Sequence, residues 1–291
     1  QGTPQFRQRW GVMPELRSTL FRPTSYQLYK ILSTILMTDQ QLQLKSIEYR
    51  QKLLRYITAA GAGHTGGSLS CVDILNVLYN RVMNVSPKNF HQPDRDRYIQ
   101  SKGHSVEALY VVLADLGFFP ESELETMCQY DSPFVGHPTR KVPGIEMNTG
   151  ALGHGLPICV GIALAGKLDH AAYRVFTLLG DGELAEGSNW EAAMAAAHYK
   201  LDNLTAILDH NSLQITGKTR DVCSNEPIDE KFASFGWQVR KVDGHDFAAH
   251  RFLGRGIRDD DPAWGRLFLF EPLDEYALVQ GTDLHCHTSD S

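Results

Sequence analysis

Apolar residues along the chain alternate between short continuous runs and longer periodic stretches. Val175-Phe176-Thr177-Leu178-Leu179 is one such run, ending in Gly180-Asp181-Gly182. Leu204-Thr205-Ala206-Ile207-Leu208 is a second, ending in Asp209-His210-Asn211. Runs of this length and continuity read as strands buried on both faces. Between them the alanine-rich stretch Glu191 to Tyr199 reads as a helix. Strand, helix, strand predicts a right-handed crossover unit of a parallel sheet, which brings both strand tips to one edge. That edge is where doubly wound sheets bind ligands. The fold class expected is α/β, a doubly wound, mostly parallel sheet with helices on both faces.

Upstream, Leu44, Ile47, Leu54 and Ile57 recur at helical spacing after Asp39, which can cap the helix, and charges fill the other face. This helix stops at Gly61-Ala62-Gly63. A second is expected after Ser70, through Val72, Ile74, Leu75, Val77 and Leu78, followed by a loop from Ser86 to Asp96. Tyr98 and Ile99 read as a short strand leading into Ser101-Lys102-Gly103-His104, with helix again from Val106 to Leu116. Gly136 to Gly155 is glycine-punctuated loop, and Leu156 to Leu168 is a helix rich in small residues.

Composition adds exclusions. The 291 residues carry a net charge of −6, which gives no electrostatic case for nucleic acid or an acidic membrane. No apolar run approaches the roughly 18 residues of a membrane span. Five scattered cysteines fit neither a disulfide framework nor a paired metal motif, so a reducing, cytoplasmic setting is expected. Residues 1–37 read as a leader outside the fold. Its first 23 residues are arginine-rich with one acid, as in a transit peptide or an unstructured segment. All eleven lysines lie at or before Lys241. His285-Cys286-His287 has the composition of metal ligands but no partners at suitable spacing.

The histidines carry more. Five of the twelve follow glycine directly: His64, His104, His137, His154 and His245. A glycine neighbour suits a loop whose backbone approaches a ligand closely. Asp181 and Asn211, at adjacent strand tips, offer a carboxylate and a carboxamide oxygen, the hard donors that Mg²⁺ prefers and shares with phosphates. Gly180 and Gly182 would let backbone N–H groups meet a diphosphate. Taken alone, Gly-Asp-Gly is equally an ordinary turn, and each histidine a structural hydrogen bond.

Gly180-Asp181-Gly182-Glu183 followed by Asn211 resembles the thiamine diphosphate fingerprint. Residues 38–248 resemble the N-terminal, diphosphate-binding part of transketolase. The further segments are Ala62-Gly63-His64-Thr65-Gly66-Gly67, Ser101-Lys102-Gly103-His104, Gly136-His137-Pro138, Thr149 to Gly155 and Asn211 to Gly217. The resemblance implies thiamine diphosphate with Mg²⁺, or Ca²⁺ or Mn²⁺ in its place. Asp181, Asn211 and the carbonyl of Leu213 would hold the metal. Gly150, Leu152, Gly153, Gly180, Asp181, Gly182, Glu183 and Asn211 would contact the cofactor. His64, His104 and His137 would line the catalytic channel, and Glu186 would help join cofactor domains across a dimer.

The resemblance also implies a partner. A complete transketolase has a second domain that grips the aminopyrimidine, and there is no room for it after Asp243-Gly244-His245-Asp246. The expectation is therefore the N-terminal subunit of a split transketolase. It would transfer a two-carbon ketol unit between phosphorylated sugars and be inactive without its C-terminal partner, self-associating through the cofactor domain. The alternatives are a deoxyxylulose phosphate synthase, a 2-oxo acid dehydrogenase α subunit, or a non-catalytic cofactor-holding or regulatory protein. Residues 249–291 lack the family's lysine- and glycine-rich strand. They are expected to be a divergent tail, either the product of a shifted reading frame or a helix through Leu267 to Leu278.

Overall fold

The computed structural model describes residues 37–248, 250, 253 and 265–271. The first helix, α1 (Asp39–Ala60), begins one residue earlier than its expected cap. Thr38 is the N-cap, accepting from the Gln41 amide while the Gln41 side chain accepts from the Thr38 amide. It ends at Gly61 in the left-handed conformation. Its buried face also differs from the aliphatic stripe. Leu44 (62 % exposed), Ile47 and Leu54 face outward, while Leu42, Ser46, Tyr49, Leu53, Tyr56 and Ile57 face in. The tyrosines explain the difference. Each buries its ring and delivers its hydroxyl to an acid, Tyr49 to Asp115 at 2.7 Å and Tyr56 to Glu121 at 3.0 Å.

Helix α2 (Thr65–Val77) starts well before the expected Ser70, so two glycines lie inside its first turn. Gly67 is needed there: a Cβ would sit 3.2 Å from Cδ2 of His104. Strand β1 (Arg97–Gln100), α3 (Val106–Asp115), α4 (Gly155–Leu168), β2 (Val175–Gly180), α5 (Gly187–His198) and β3 (Leu204–Asp209) follow close to their expected bounds. A two-residue hairpin, β4 (Leu213–Gln214) with β5 (Gly217–Lys218), leads through the short α6 (Thr219–Val222) to α7 (Ile228–Ser234) and β6 (Gln238–Asp243). The last described strand is β7 (Arg266–Glu271).

The main sheet has the order β1-β2-β3-β7-β6, and every pairing is parallel. Alternation within the strands splits the core into two layers. Phe176, Leu178, Ile207, Phe268 and Phe270 pack against α1, α2 and α3. Val175, Leu179, Ala206, Leu208, Leu267 and Leu269 pack against α4, α5 and α7. Helices on both faces make the fold doubly wound, as expected.

The tail expectation needs correction. Leu267 to Phe270 are strand, not helix, and β7 is fully inserted between β3 and β6. The position expected to stand empty is filled, because Leu-Phe-Leu-Phe supplies apolar side chains to both layers at once. Residues 1–36 and 272–291, including His285-Cys286-His287, lie outside the described residues.

Candidate functional site

The carboxyl ends of β1, β2 and β3 face one edge, and the segments singled out in the sequence gather there. Register places Gly180 opposite Asp209, so the turns beginning at Asp181 and His210 emerge side by side. Asp181 is 2 % exposed. Its carboxylate accepts the amides of Gly182 at 2.9 Å and Ser212 at 2.8 Å, with the Thr219 hydroxyl at 3.4 Å. Burial pushes its pKa up to about 6, with Asp209 adding to the rise and the His210 imidazole opposing it. Asn211 closes the neighbouring turn by accepting the Leu213 amide at 3.0 Å. A carboxylate, a carboxamide and a backbone carbonyl thus share one small region, an all-oxygen set of the hard type.

The glycines do something other than what was expected of them. The amides of Gly180 and Gly153 donate to Glu183, at 3.1 and 2.9 Å, and that of Gly182 donates to Asp181. The Gly153 carbonyl accepts the Ser188 hydroxyl at 2.7 Å. These backbone groups are committed inside the protein. What the glycines provide is close approach. A Cβ on Gly150 would lie 2.6 Å from the His137 ring, one on Gly153 2.5 Å from Glu186, and one on Gly103 2.8 Å from the Gly150 backbone. Gly150 and Gly153 also hold positive φ, +133° and +83°.

Glu183 is likewise a brace. Its carboxylate, 2 % exposed, accepts the Ser101 hydroxyl and the amides of Gly153 and Gly180, so one side chain ties the tips of β1 and β2 to the loop before α4. Both oxygens are occupied, which corrects the expectation of a direct cofactor contact.

His64, His104 and His137 converge from three separate segments. The His64 ring centroid lies 5.9 Å from that of His104 and 5.4 Å from that of His137, both edge to face. Burial, with the Lys102 ammonium nearby, pushes His104 down to about 4. Burial, then His64, lowers His137. His154 is exposed, its Nδ1 3.0 Å from the Leu152 carbonyl, and His245 is bound to Asp73 away from the cluster. Glu186 is exposed at the start of α5.

Two features were missed in the sequence. Lys102 is fully buried and donates to Asp209 and to the Gly67 carbonyl. Glu107 is buried against His64. Each is a lone charge set in or beside an apolar run, which is a readable signal.

Residues 45–252 match the family described as transketolase, thiamine diphosphate binding domain. The chain belongs to this family. One of the two subunits of an apulose-4-phosphate transketolase from Phocaeicola vulgatus is 49% identical over 208 residues, covering 72% of this chain and 74% of that protein. A 6-deoxy-6-sulfo-D-fructose transketolase subunit from a Clostridium species is 42% identical over 212 residues, 72% of this chain and 77% of that one. The solved transketolase of Campylobacter jejuni superposes with a TM-score of 0.72 at 30% identity, over 80% of this chain and 38% of that one. This transketolase-family chain therefore spans under two fifths of that solved protein, but about three quarters of relatives named as subunits. Among its described residues no helix is long and apolar enough to cross a membrane.

Proposed function

We propose that this chain is the diphosphate-binding subunit of a split transketolase. With a C-terminal partner subunit that carries the aminopyrimidine-binding domain, it moves a two-carbon ketol unit between sugar phosphates. The observation that carries this reading is the convergence of His64, His104 and His137 beside the Asp181–Asn211 oxygen set at one sheet edge.

The residues fit the cofactor and its cation. Asp181, Asn211 and the Leu213 carbonyl would hold Mg²⁺, or Ca²⁺ or Mn²⁺, against the diphosphate. The Gly150–Gly153 loop, including Leu152, and the Gly180–Gly182 turn would wall the site, kept thin by glycines that admit no Cβ. When bound, thiamine diphosphate supplies the electron sink that allows the bond next to a ketose carbonyl to break. The chain's own part is position and proton handling. Neutral His104 and His137 can donate to or accept from sugar hydroxyls, and the cluster can pass protons near neutral pH. Self-association through the cofactor domain, with Glu186 exposed at α5, and a cytoplasmic location complete the proposal.

Co-expression with the partner subunit, followed by a ketol-transfer assay on sugar phosphates, tests it. The two-subunit complex is expected to turn over and the isolated chain is not. Turnover by the chain alone, or none by the complex, overturns the reading. In the active complex, His104→Ala and His137→Ala should lower kcat/KM by roughly 10²–10⁴-fold while sparing cofactor affinity.

A further inference from the structure

Glu107 enters α3 in its first turn as the lone charged side chain of the apolar stretch Val106–Ala114. It is 2 % exposed, a position carboxylates rarely occupy without partners. Its partners are all on the segment that carries His64. Oε1 accepts the His64 amide at 3.0 Å, Oε2 accepts the Ser68 hydroxyl at 2.8 Å, and the ring Nδ1 of His64 lies 3.5 Å from Oε1. That last separation is long for a hydrogen bond and close for an ion pair, a geometry that tightens in many enzymes only once substrate is bound. Gly63 makes room for the arrangement, since a Cβ there would stand 3.1 Å from Oε1.

The three rings of the cluster are therefore not equivalent. His104 faces the Lys102 ammonium and is buried, and His137 is buried beside His64, so both favour the neutral form. Glu107 stays anionic: burial works against its charge, but hydrogen bonds from His64 and Ser68 outweigh it. The groups facing His64 include this carboxylate and two neutral imidazoles.

We propose that Glu107 is a positioning residue that holds the His64 ring with Nδ1–H toward its carboxylate and so makes His64 the proton carrier of the three. The proposal deepens the ketol-transfer reading and rests on it for what the proton serves. In ketose cleavage, the hydroxyl beside the scissile bond gives its proton to Nε2 of His64. The O–H electron pair forms the new aldose carbonyl, and the C–C pair passes to the sink that the cofactor supplies. In the return direction the same proton goes back to the oxygen of the acceptor aldose as the new C–C bond forms.

The test is a nitrogen-15 NMR titration of the histidine rings in the full chain, wild type and Glu107→Gln. Glutamine keeps an oxygen for the His64 amide and a polar contact for Ser68. The expected result is the Nδ1–H tautomer of His64 in the wild type and a titration midpoint that falls by about one pH unit or more in Glu107→Gln. Should that variant not fold, the wild-type tautomer decides alone. An Nε2–H tautomer, or equal midpoints in the two proteins, overturns the proposal. In the two-subunit complex Glu107→Gln should lower kcat by about tenfold or more with little change in KM, and shift the acid limb of the pH profile down. Unchanged kinetics would also overturn it. A wild-type complex without ketol transfer would sink the functional reading, while the ring titration would still decide whether Glu107 governs His64.

Discussion

Lys102 at the end of β1 and Asp209 at the end of β3 are bonded to each other across the tip of the strand between them. The lysine side chain passes Gly180, where a Cβ would meet it at 3.9 Å, and the ammonium also donates to the Gly67 carbonyl at 3.2 Å. Asp209 accepts the Ser70 hydroxyl at 2.7 Å on its other oxygen. One sealed ion pair thus joins α2, the Ser-Lys-Gly-His turn and the strand that leads to Asn211.

Removing either charge should be costly and removing both much less so. Lys102→Met leaves a buried carboxylate without its cation, at a cost of about 3–5 kcal/mol. The double variant Lys102→Met, Asp209→Asn leaves no buried charge and keeps a partner for Ser70. Urea denaturation of the chain should show most of the loss recovered in the double variant. Additive losses would mean that the two groups are not energetically coupled.

Asp181→Asn and Asn211→Ala should weaken binding of thiamine diphosphate in the two-subunit complex by about 100-fold or more, equivalent to about 3 kcal/mol. The loss should appear only with Mg²⁺ present, because the lost donors serve the cation. Asparagine at 181 can still accept one of the two amides, so the fold should persist. Calorimetric titrations with and without Mg²⁺ measure this, and unchanged affinity in both variants would displace the proposed cation site.

Much of this was legible before any coordinates. The strands ending at Gly180 and Asp209 declared themselves because burial on both faces demands continuous apolar runs, and their tips fixed the edge on which the site stands. The glycine-histidine segments identified three rings that do meet. What stayed hidden has physical causes. The inner face of α1 uses tyrosines whose hydroxyls need acids from distant elements, so Leu44 and Ile47 drew the eye to the solvent side. The amides of Gly153, Gly180 and Gly182 were open to a diphosphate on paper, but Glu183 and Asp181 take them, a pairing set only by tertiary contact. Strand β7 was unreadable because its partners precede it by some sixty residues in β3 and more than twenty in β6.

That strand gives the third prediction. Leu269 is 1 % exposed in the layer against α4 and α5, and β6 reaches the rest of the sheet through β7. Leu269→Ala should cost about 2–5 kcal/mol, the usual range for a large aliphatic removed from a tight core. Chemical denaturation measures it. A loss below about 1 kcal/mol would show that β7 contributes little to the folded chain.

The remaining Gly-His segment, at His245, should make stability fall as pH rises. Its Nδ1 lies 2.8 Å from Oδ2 of Asp73, whose two oxygens also take a two-pronged contact from Arg50 at 2.6 and 2.8 Å. The hydrogen bond to Asp73 raises the His245 pKa above 6.5 against the opposing effect of burial. The folded chain therefore holds this proton more tightly than the unfolded chain does. The resulting stabilisation is fully present below about pH 6.5 and is lost as pH climbs through the folded value. His104 and His250, both pushed down to about 4 by burial, act in the opposite sense at lower pH, so the comparison must be with a variant and not with a single curve. The urea midpoint of wild type should decline between about pH 6 and 8 more steeply than that of His245→Gln. Because the His245 side chain is 41% exposed, raising the salt concentration should narrow the difference. Parallel pH curves for the two proteins would show that the Asp73 contact does not bind the proton, and that His245 holds the segment after β6 by packing alone.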